Sequence, residues 1–368
     1  MSYITSIGIA NPVHKLSQSS IANFMAKVMR LEADEERKMR ALYRMTGIDT
    51  RHSVLADYGR ERDFEFYPNQ PTEGEFPSTR QRLQLYQRHA VHLSADAALQ
   101  CFNKIPTFDR DAITHLVVVS CTGMYAPGLD IDLVKTLGLK STVERTCINF
   151  MGCYAAFNAI KLADTFCRAN TTSKVLVVCT ELCSIHFQKE NTEDNLLANA
   201  LFADGSAALL VEGATRSGIN LKPLSFFFDL AMEGERDMAW TLGDLGFEMR
   251  LSSYVPEVIR RGIRQLTASL LQKIKHNLSD ISYYAIHPGG KKILEAIGHE
   301  LQLSKSDNMH AYEVLRNYGN MSSPTVLFVL QAIYQKLNSA DHQKKILSFA
   351  FGPGLTLESM VLEVEKVP

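Results

Sequence analysis

The sequence predicts an α/β protein made of two halves in the same style, residues 1–212 and 213–368. Apolar runs such as His115-Leu116-Val117-Val118-Val119 and Lys174-Val175-Leu176-Val177-Val178 alternate with helix-length segments. Strands apolar on both sides belong to sheets covered on both faces. The β-α-β order resumes after Gly213 to Gly218, which reads as a crossover and suggests a diverged internal duplication. The chain has 368 residues, 46% of them hydrophobic, enough for one large or two medium domains. Its 39 basic and 40 acidic side chains leave no electrostatic footprint for nucleic acid or an anionic membrane.

Taken in order, residues 3–10 read as a strand and 17–45 as helical, with Ser17 to Ser20 as possible caps. Within the charged run Glu32 to Arg40 and just after it, Lys38, Arg40 and Arg44 cluster. They are either part of a solvated helix face or a patch for the phosphates of a nucleotide-bearing substrate. The polar stretch 59–82, with Pro68, Pro71 and Pro77, reads as a long surface loop, and Ser78 or Thr79 can cap a helix over 80–103. A strand at 112–120, a helix near 130–137, a strand at 174–179, a helix around 193–202 and a strand at 206–211 complete the first half. The second half has strands near 221–229, 247–251 and 283–286, helices over 258–276, 291–301 and 324–337, and final strands at 346–350 and 355–362.

Seven cysteines form an odd, scattered set without a Cys-x-x-Cys pair, which points to a reduced compartment. The first ten residues lack a charged leader followed by an apolar core, and no run approaches the ~18 apolar residues of a membrane span. A cytoplasmic protein is expected. No metal site is expected either, since the histidines are dispersed and Cys179 with Cys183 lacks a third ligand.

Cys153 stands at the turn between a short extended run and a helix beginning near Ala155. Free N–H groups at a helix N-terminus favour a thiolate, so a lowered thiol pKa and a nucleophile are expected there. The plain alternative is a small core residue. Ala155, Ala156, Ala159 and Ala163 suit a helix packed closely on all sides. His287 ends an apolar strand and is followed at once by Pro288-Gly289-Gly290, which fixes the imidazole on rigid backbone while leaving it open to a cavity. Asn320 lies in a tight turn before a buried helix, for which Ser323 fits the N-cap and Pro324 the first helical position. In Phe351-Gly352-Pro353-Gly354 the glycines allow close backbone approach.

Together, Gly152-Cys153, His287-Pro288-Gly289-Gly290, Gly319-Asn320-Met321-Ser322-Ser323 and Phe351-Gly352-Pro353-Gly354-Leu355-Thr356 resemble the signature set of the type III polyketide synthases, the chalcone synthase-like branch of the thiolase fold. The resemblance implies a thiolase-like five-layered αβαβα subunit of two pseudo-repeats, normally a homodimer of secondary metabolism. Its substrates would be acyl-CoA and malonyl-CoA, and no cofactor is implied. It implies Cys153 as the acyl-carrying nucleophile, His287 holding it as a thiolate in an ion pair, and His287 with Asn320 stabilising the enolate formed when malonyl-CoA loses CO₂. Phe202 corresponds to a gate phenylalanine, and a second gate falls at Phe247 or Met249. Cys121, Thr122, Cys183, His186 and Ser322 would line the pocket beside Gly352, Pro353 and Gly354, and Lys38, Arg40 and Arg44 would bind CoA. Cysteines at 121 and 183, His186, and Ala126 in place of a methionine that reaches across the dimer depart from the plant chalcone synthases. These departures argue against a coumaroyl starter and favour a long acyl chain, with a pyrone, resorcinol or phloroglucinol-type product. The alternative is an initiating β-ketoacyl-carrier-protein synthase that performs one condensation. In that family the histidine is usually followed by Gln-Ala-Asn, unlike His287-Pro288-Gly289-Gly290.

Overall fold

The apolar runs pair into two sheets that meet at one residue pair. The computed structural model describes residues 1–69 and 76–368. The chain opens with β1 (Tyr3–Ala10), then β2 (His14–Ser17), α1 (Gln18–Met29), α2 (Ala33–Met45) and β3 (Thr50–Ser53). A long helix, α3 (Thr79–Phe102), leads to β4 (His115–Ser120), α4 (Leu129–Leu137), β5 (Glu144–Asn149), α5 (Ala155–Ala169), β6 (Lys174–Leu182), α6 (Glu193–Leu201) and β7 (Asp204–Glu212). The second half runs β8 (Gly218–Leu230), β9 (Met238–Gly243), β10 (Gly246–Leu251), α7 (Val255–Lys273), β11 (Ile281–Ile286), α8 (Lys291–Leu301), α9 (Met309–Tyr318), α10 (Thr325–Tyr334), β12 (Lys345–Gly352) and β13 (Thr356–Val367).

One sheet has the order β5-β4-β6-β7-β1 and the other β8-β13-β12-β11, joined where Ile4 of β1 pairs with Leu221 of β8. The duplication is visible in strand polarity. β4 is parallel to β6, which is antiparallel to β7, which is antiparallel to β1. In the same way β11 is parallel to β12, β12 antiparallel to β13, and β13 antiparallel to β8. α5 touches both sheets and α10 touches β1, β7 and β11, so these two helices form the central layer. α3 and α4 cover one outer face, and α7, with α8 packed on it, the other. The result is the five-layered αβαβα arrangement.

Central position explains the composition of α5. Ala155, Ala156, Ala159 and Ala163 are all buried, because larger side chains would push the sheets apart. α10 is buried along most of its length, from Thr325 to Gln331 and again at Ile333. α5 and α10 each reach across to a strand of the other half, so Cys153 before one and Asn320 before the other come from equivalent places in the two halves.

Several expectations change. The 17–45 stretch is two helices, broken where Arg30 takes a left-handed conformation at φ 53°. Residues 70–75 of the expected loop lie outside the described residues. Of its remainder, 79–82 is already helix, capped reciprocally by Ser78 and Gln81, and Phe64, Tyr67 and Phe76 are buried against Phe187 or Phe24 rather than lying on the surface. The hairpin strand β9 and the helix α9 were not expected. The helix expected over 324–337 stops at Tyr334, and Pro324, not Ser323, occupies its N-cap. Ser323 instead donates a hydrogen bond to the buried carboxyl of Glu181 at 2.6 Å. Among the described residues, no helix is long and apolar enough to cross a membrane.

Candidate active site

Cys153, His287 and Asn320 converge at the inner end of a cavity of about 370 Å³. Each is fixed by a different element. Gly152, at φ +81°, turns the chain from β5 into α5, and a Cβ on it would stand 2.4 Å from Pro353 Cδ, so only glycine fits. Cys153 follows, 6% exposed, with its Sγ 4.0 Å from Asn320 Oδ1. His287 continues from β11, its backbone N–H donating to Phe349 O of β12 at 2.8 Å. Both of its ring nitrogens are buried without a hydrogen-bond partner, and the ring lines the cavity. An unpartnered buried imidazole is costly, which marks it as a group awaiting a ligand.

Asn320 is held on both sides of its amide. Its Oδ1 accepts from Ser322 N–H at 2.8 Å, and its Nδ2 donates to Gly289 O at 3.2 Å, beside His287. An amide nitrogen carries two hydrogens, so one is left for the cavity. The Asn320 backbone forms a parallel bridge with Phe202: Asn320 N–H donates to Leu201 O at 2.9 Å, and Ala203 N–H to Asn320 O at 2.8 Å.

Electrostatics bear on one expectation. Burial pushes the Cys153 thiol up to about 11, outweighing the hydrogen bonds from Ser322 and Asn320 that favour the thiolate, and Glu181 adds to the rise. Burial pushes His287 down to about 3. Burial thus disfavours both charges of the expected imidazolium and thiolate pair, since neither has much compensation in the closed site. Cys153 also precedes the capping residue Tyr154, outside the first helical turn where the dipole acts most strongly.

Other expected residues separate. Cys121, Thr122, Cys183, Ser322, Phe202, Met249 and Pro353 line the cavity with the three polar groups. Between the two second-gate candidates, Met249 faces the cavity, while Phe247 is fully buried and stacks on His186 with ring centroids 4.2 Å apart. His186 is locked behind the wall: its Nδ1 accepts from Phe247 N–H at 3.0 Å and its Nε2 donates to Thr122 O at 2.7 Å. Gly352 packs against Tyr154 and Gly354 against Thr356 and Leu230, so neither lines the cavity. Lys38, Arg40 and Arg44 do not line it either. Arg40 is taken up by Glu36 and Asn23, whereas Lys38 is exposed on the helix face that carries Leu42 and Met45 to the cavity mouth.

Four residues were not anticipated. Lys291 and Lys292, in the first turn of α8, line the cavity, with Lys292 exposed at its mouth. Trp240 lines it opposite Met249 in the β9–β10 hairpin, its indole N–H donating to Cys121 O at 2.6 Å. Glu181 lies beneath, fully buried, accepting from Cys121 N–H and Thr122 Oγ at 2.8 Å each. A carboxylate closing the apolar run of β6 was the available signal for it.

Burial raises Glu181 from 4.5 to about 7, despite the donors that favour its ionised form. Between those values the folded protein holds a proton that the unfolded chain has lost, so stability is expected to fall as pH rises through that window. Asp204, raised from 3.8 to about 6 by burial, acts with the same sign lower down. Glu181→Gln should flatten the upper part of the slope in urea-unfolding midpoints measured against pH. Equal slopes in the two proteins would contradict this account.

Comparison with known proteins gives consistent matches over the whole length. A family model described as "Chalcone and stilbene synthases, N-terminal domain" matches residues 1–215, and its C-terminal counterpart matches 228–365. "Alpha-pyrone synthesis polyketide synthase-like Pks18" of Mycobacterium tuberculosis is 31% identical over 366 residues, covering 98% of this chain and 91% of that protein. A "Putative chalcone synthase" of Bacillus subtilis is 29% identical over 378 residues, covering 100% of both. Among solved structures, PKS-I from the brown alga Ectocarpus siliculosus superposes with a TM-score of 0.92 at 30% identity, over 98% of each chain. The C-terminal type III polyketide synthase domain of Steely1 from Dictyostelium gives 0.88 at 29%, over 98% of this chain and 99% of that one.

Proposed function

The chain belongs to the chalcone and stilbene synthase family of type III polyketide synthases, acyltransferases of the thiolase-like fold, and on that premise we propose that it extends a fatty acyl-CoA starter with malonyl-CoA and closes the product to a pyrone or resorcinol. The observation that carries the mechanism is the meeting of Cys153, His287 and Asn320 at the polar end of an otherwise apolar cavity.

The starter thioester enters with its carbonyl beside Cys153. With burial favouring the neutral form of both groups, the thiol proton passes to His287 as sulfur attacks, and returns to the departing CoA sulfur. Malonyl-CoA then occupies the same end. Its carboxylate leaves as CO₂, and the negative charge that develops on the thioester oxygen is met by a His287 N–H and the unused Asn320 N–H. These donors are uncharged, so they polarise the carbonyl without holding the carboxylate as a cation would. The enolate carbon attacks the Cys153 thioester and displaces the sulfur, and the extended chain returns to Cys153 for another round.

The long-chain starter is supported by the lining. Leu196, Leu197, Leu201, Met238, Trp240 and Met249 present apolar surface, and a second void of about 40 Å³ adjoins it past Cys183 and Phe202. Pyrone closure is supported by the name of the mycobacterial relative. Lys292, exposed in the cavity lining, suits the phosphates of CoA better than Arg40, paired with Glu36, or Lys291, which lies 3.9 Å from Glu295. We also read the protein as a homodimer, since β5 is a free sheet edge among the described residues and exposes Cys147.

Mass spectrometry of products from malonyl-CoA and a panel of short, aromatic and long-chain acyl-CoAs tests this reading. Masses two or more extensions beyond a long-chain starter are expected. A single condensation seen only with a carrier-protein substrate would reassign the enzyme to fatty-acid initiation.

A further inference from the structure

Behind Phe202 lies a buried arginine, Arg51 on β3, 4% exposed and not among the residues lining the main cavity. Its Nη1 donates to Asn199 O at 2.8 Å and to Phe202 O at 2.6 Å, carbonyls at the C-terminal end of α6. Its Nε donates to Gln18 Oε1 at 2.9 Å, and Gln18 Nε2 in turn donates to Ala200 O at 2.8 Å. Three carbonyls that α6 leaves unpaired at its end are thus taken by two side chains from the N-terminal segment. The arginine stem also packs on Gly319, where φ is +70° and a Cβ would come within 2.9 Å of Arg51 Cγ and Cδ.

Both ends of this clamp lead to the groups that handle malonate. Phe202 lines the cavity directly, and its segment carries Asn320 through the backbone bonds on either side of their bridge. Cys153 is positioned differently, by Gly152, Pro353 and α5, and its only link toward the clamp is the long 4.0 Å contact of Sγ with Asn320 Oδ1. We infer that Arg51 is a positioning residue for the extension step, setting Phe202 and Asn320 for malonyl-CoA while leaving acylation of Cys153 to another part of the framework. This rests on the decarboxylative reading above.

The test separates the two half-reactions. Acylation of Cys153 by lauroyl-CoA is followed by intact-protein mass, and decarboxylation of malonyl-CoA by CO₂ release. In Arg51→Lys the ammonium cannot span both carbonyls and Gln18, so decarboxylation and extension are expected to fall about 100-fold, the scale of an ångström misplacement. Acylation should stay within about 2-fold of the parent, because its groups are held elsewhere. Gln18→Met, which removes the bond to Ala200 O and frees one arginine donor, should give the same selective loss in smaller measure, and it decides the matter if Arg51→Lys does not fold. Parallel loss of both half-reactions, or loss of neither, overturns the inference. Failure of the unmodified protein to decarboxylate malonyl-CoA overturns the condensation reading, and this inference with it.

Discussion

Cys153→Ala is expected to lower product formation by about 10⁴-fold or more, the scale seen when a covalent nucleophile is removed, while CO₂ is still released from malonyl-CoA. The separation follows from the geometry. The groups proposed to stabilise the enolate are His287, just after β11, and Asn320, before α10, and both are held by bonds that do not involve the sulfur. Intact-protein mass after incubation with an acyl-CoA, alongside CO₂ release, reads both quantities. An acyl adduct persisting on the variant would move the nucleophile to Cys121 or Cys183, which line the same cavity.

Asn320→Asp should be nearly as damaging, but in the other half-reaction. The substitution keeps an oxygen to accept from Ser322 N–H, so the turn before α10 can persist. It removes the N–H that faces the substrate and sets a carboxylate where enolate charge must develop. Loss of one such donor costs on the order of 10²–10³ in rate, and like-charge repulsion adds to it. Acylation of Cys153 should fall less than decarboxylation, its loss confined to the rise in thiol pKa from a carboxylate placed about 4.0 Å from Sγ. Retained decarboxylation in Asn320→Asp would reduce the residue to a scaffold for its turn.

What could be read from the sequence was what is local. Cys153, His287 and Asn320 each sit in a short stretch whose glycines and prolines dictate a turn, and the turns deliver all three to one cavity. The apolar runs placed β4, β6 and β7 because strands buried on both faces leave that signature. The state of the thiol was hidden, since it depends on burial and on Ser322, Asn320 and Glu181, which come from other segments. Choosing between Phe247 and Met249 was equally out of reach. Residues two apart share a strand face, and only the hairpin register, with Met249 opposite Trp240 and Phe247 opposite Leu242, separates them. The β9 strand was missed because it is only partly buried, so its alternation is weak. In α9 just three residues, Ala311, Val314 and Leu315, are buried, too few for a clear helical stripe.

Trp240 is the single tryptophan in the chain, and it stands in the wall of the cavity with its indole N–H tied to the carbonyl of Cys121. Light absorbed by tryptophan alone is therefore emitted from one place, a few side chains from the reacting sulfur. The fold has in effect put an optical probe in the wall of the candidate site, so acyl-CoA binding to the unlabelled protein is expected to change its emission.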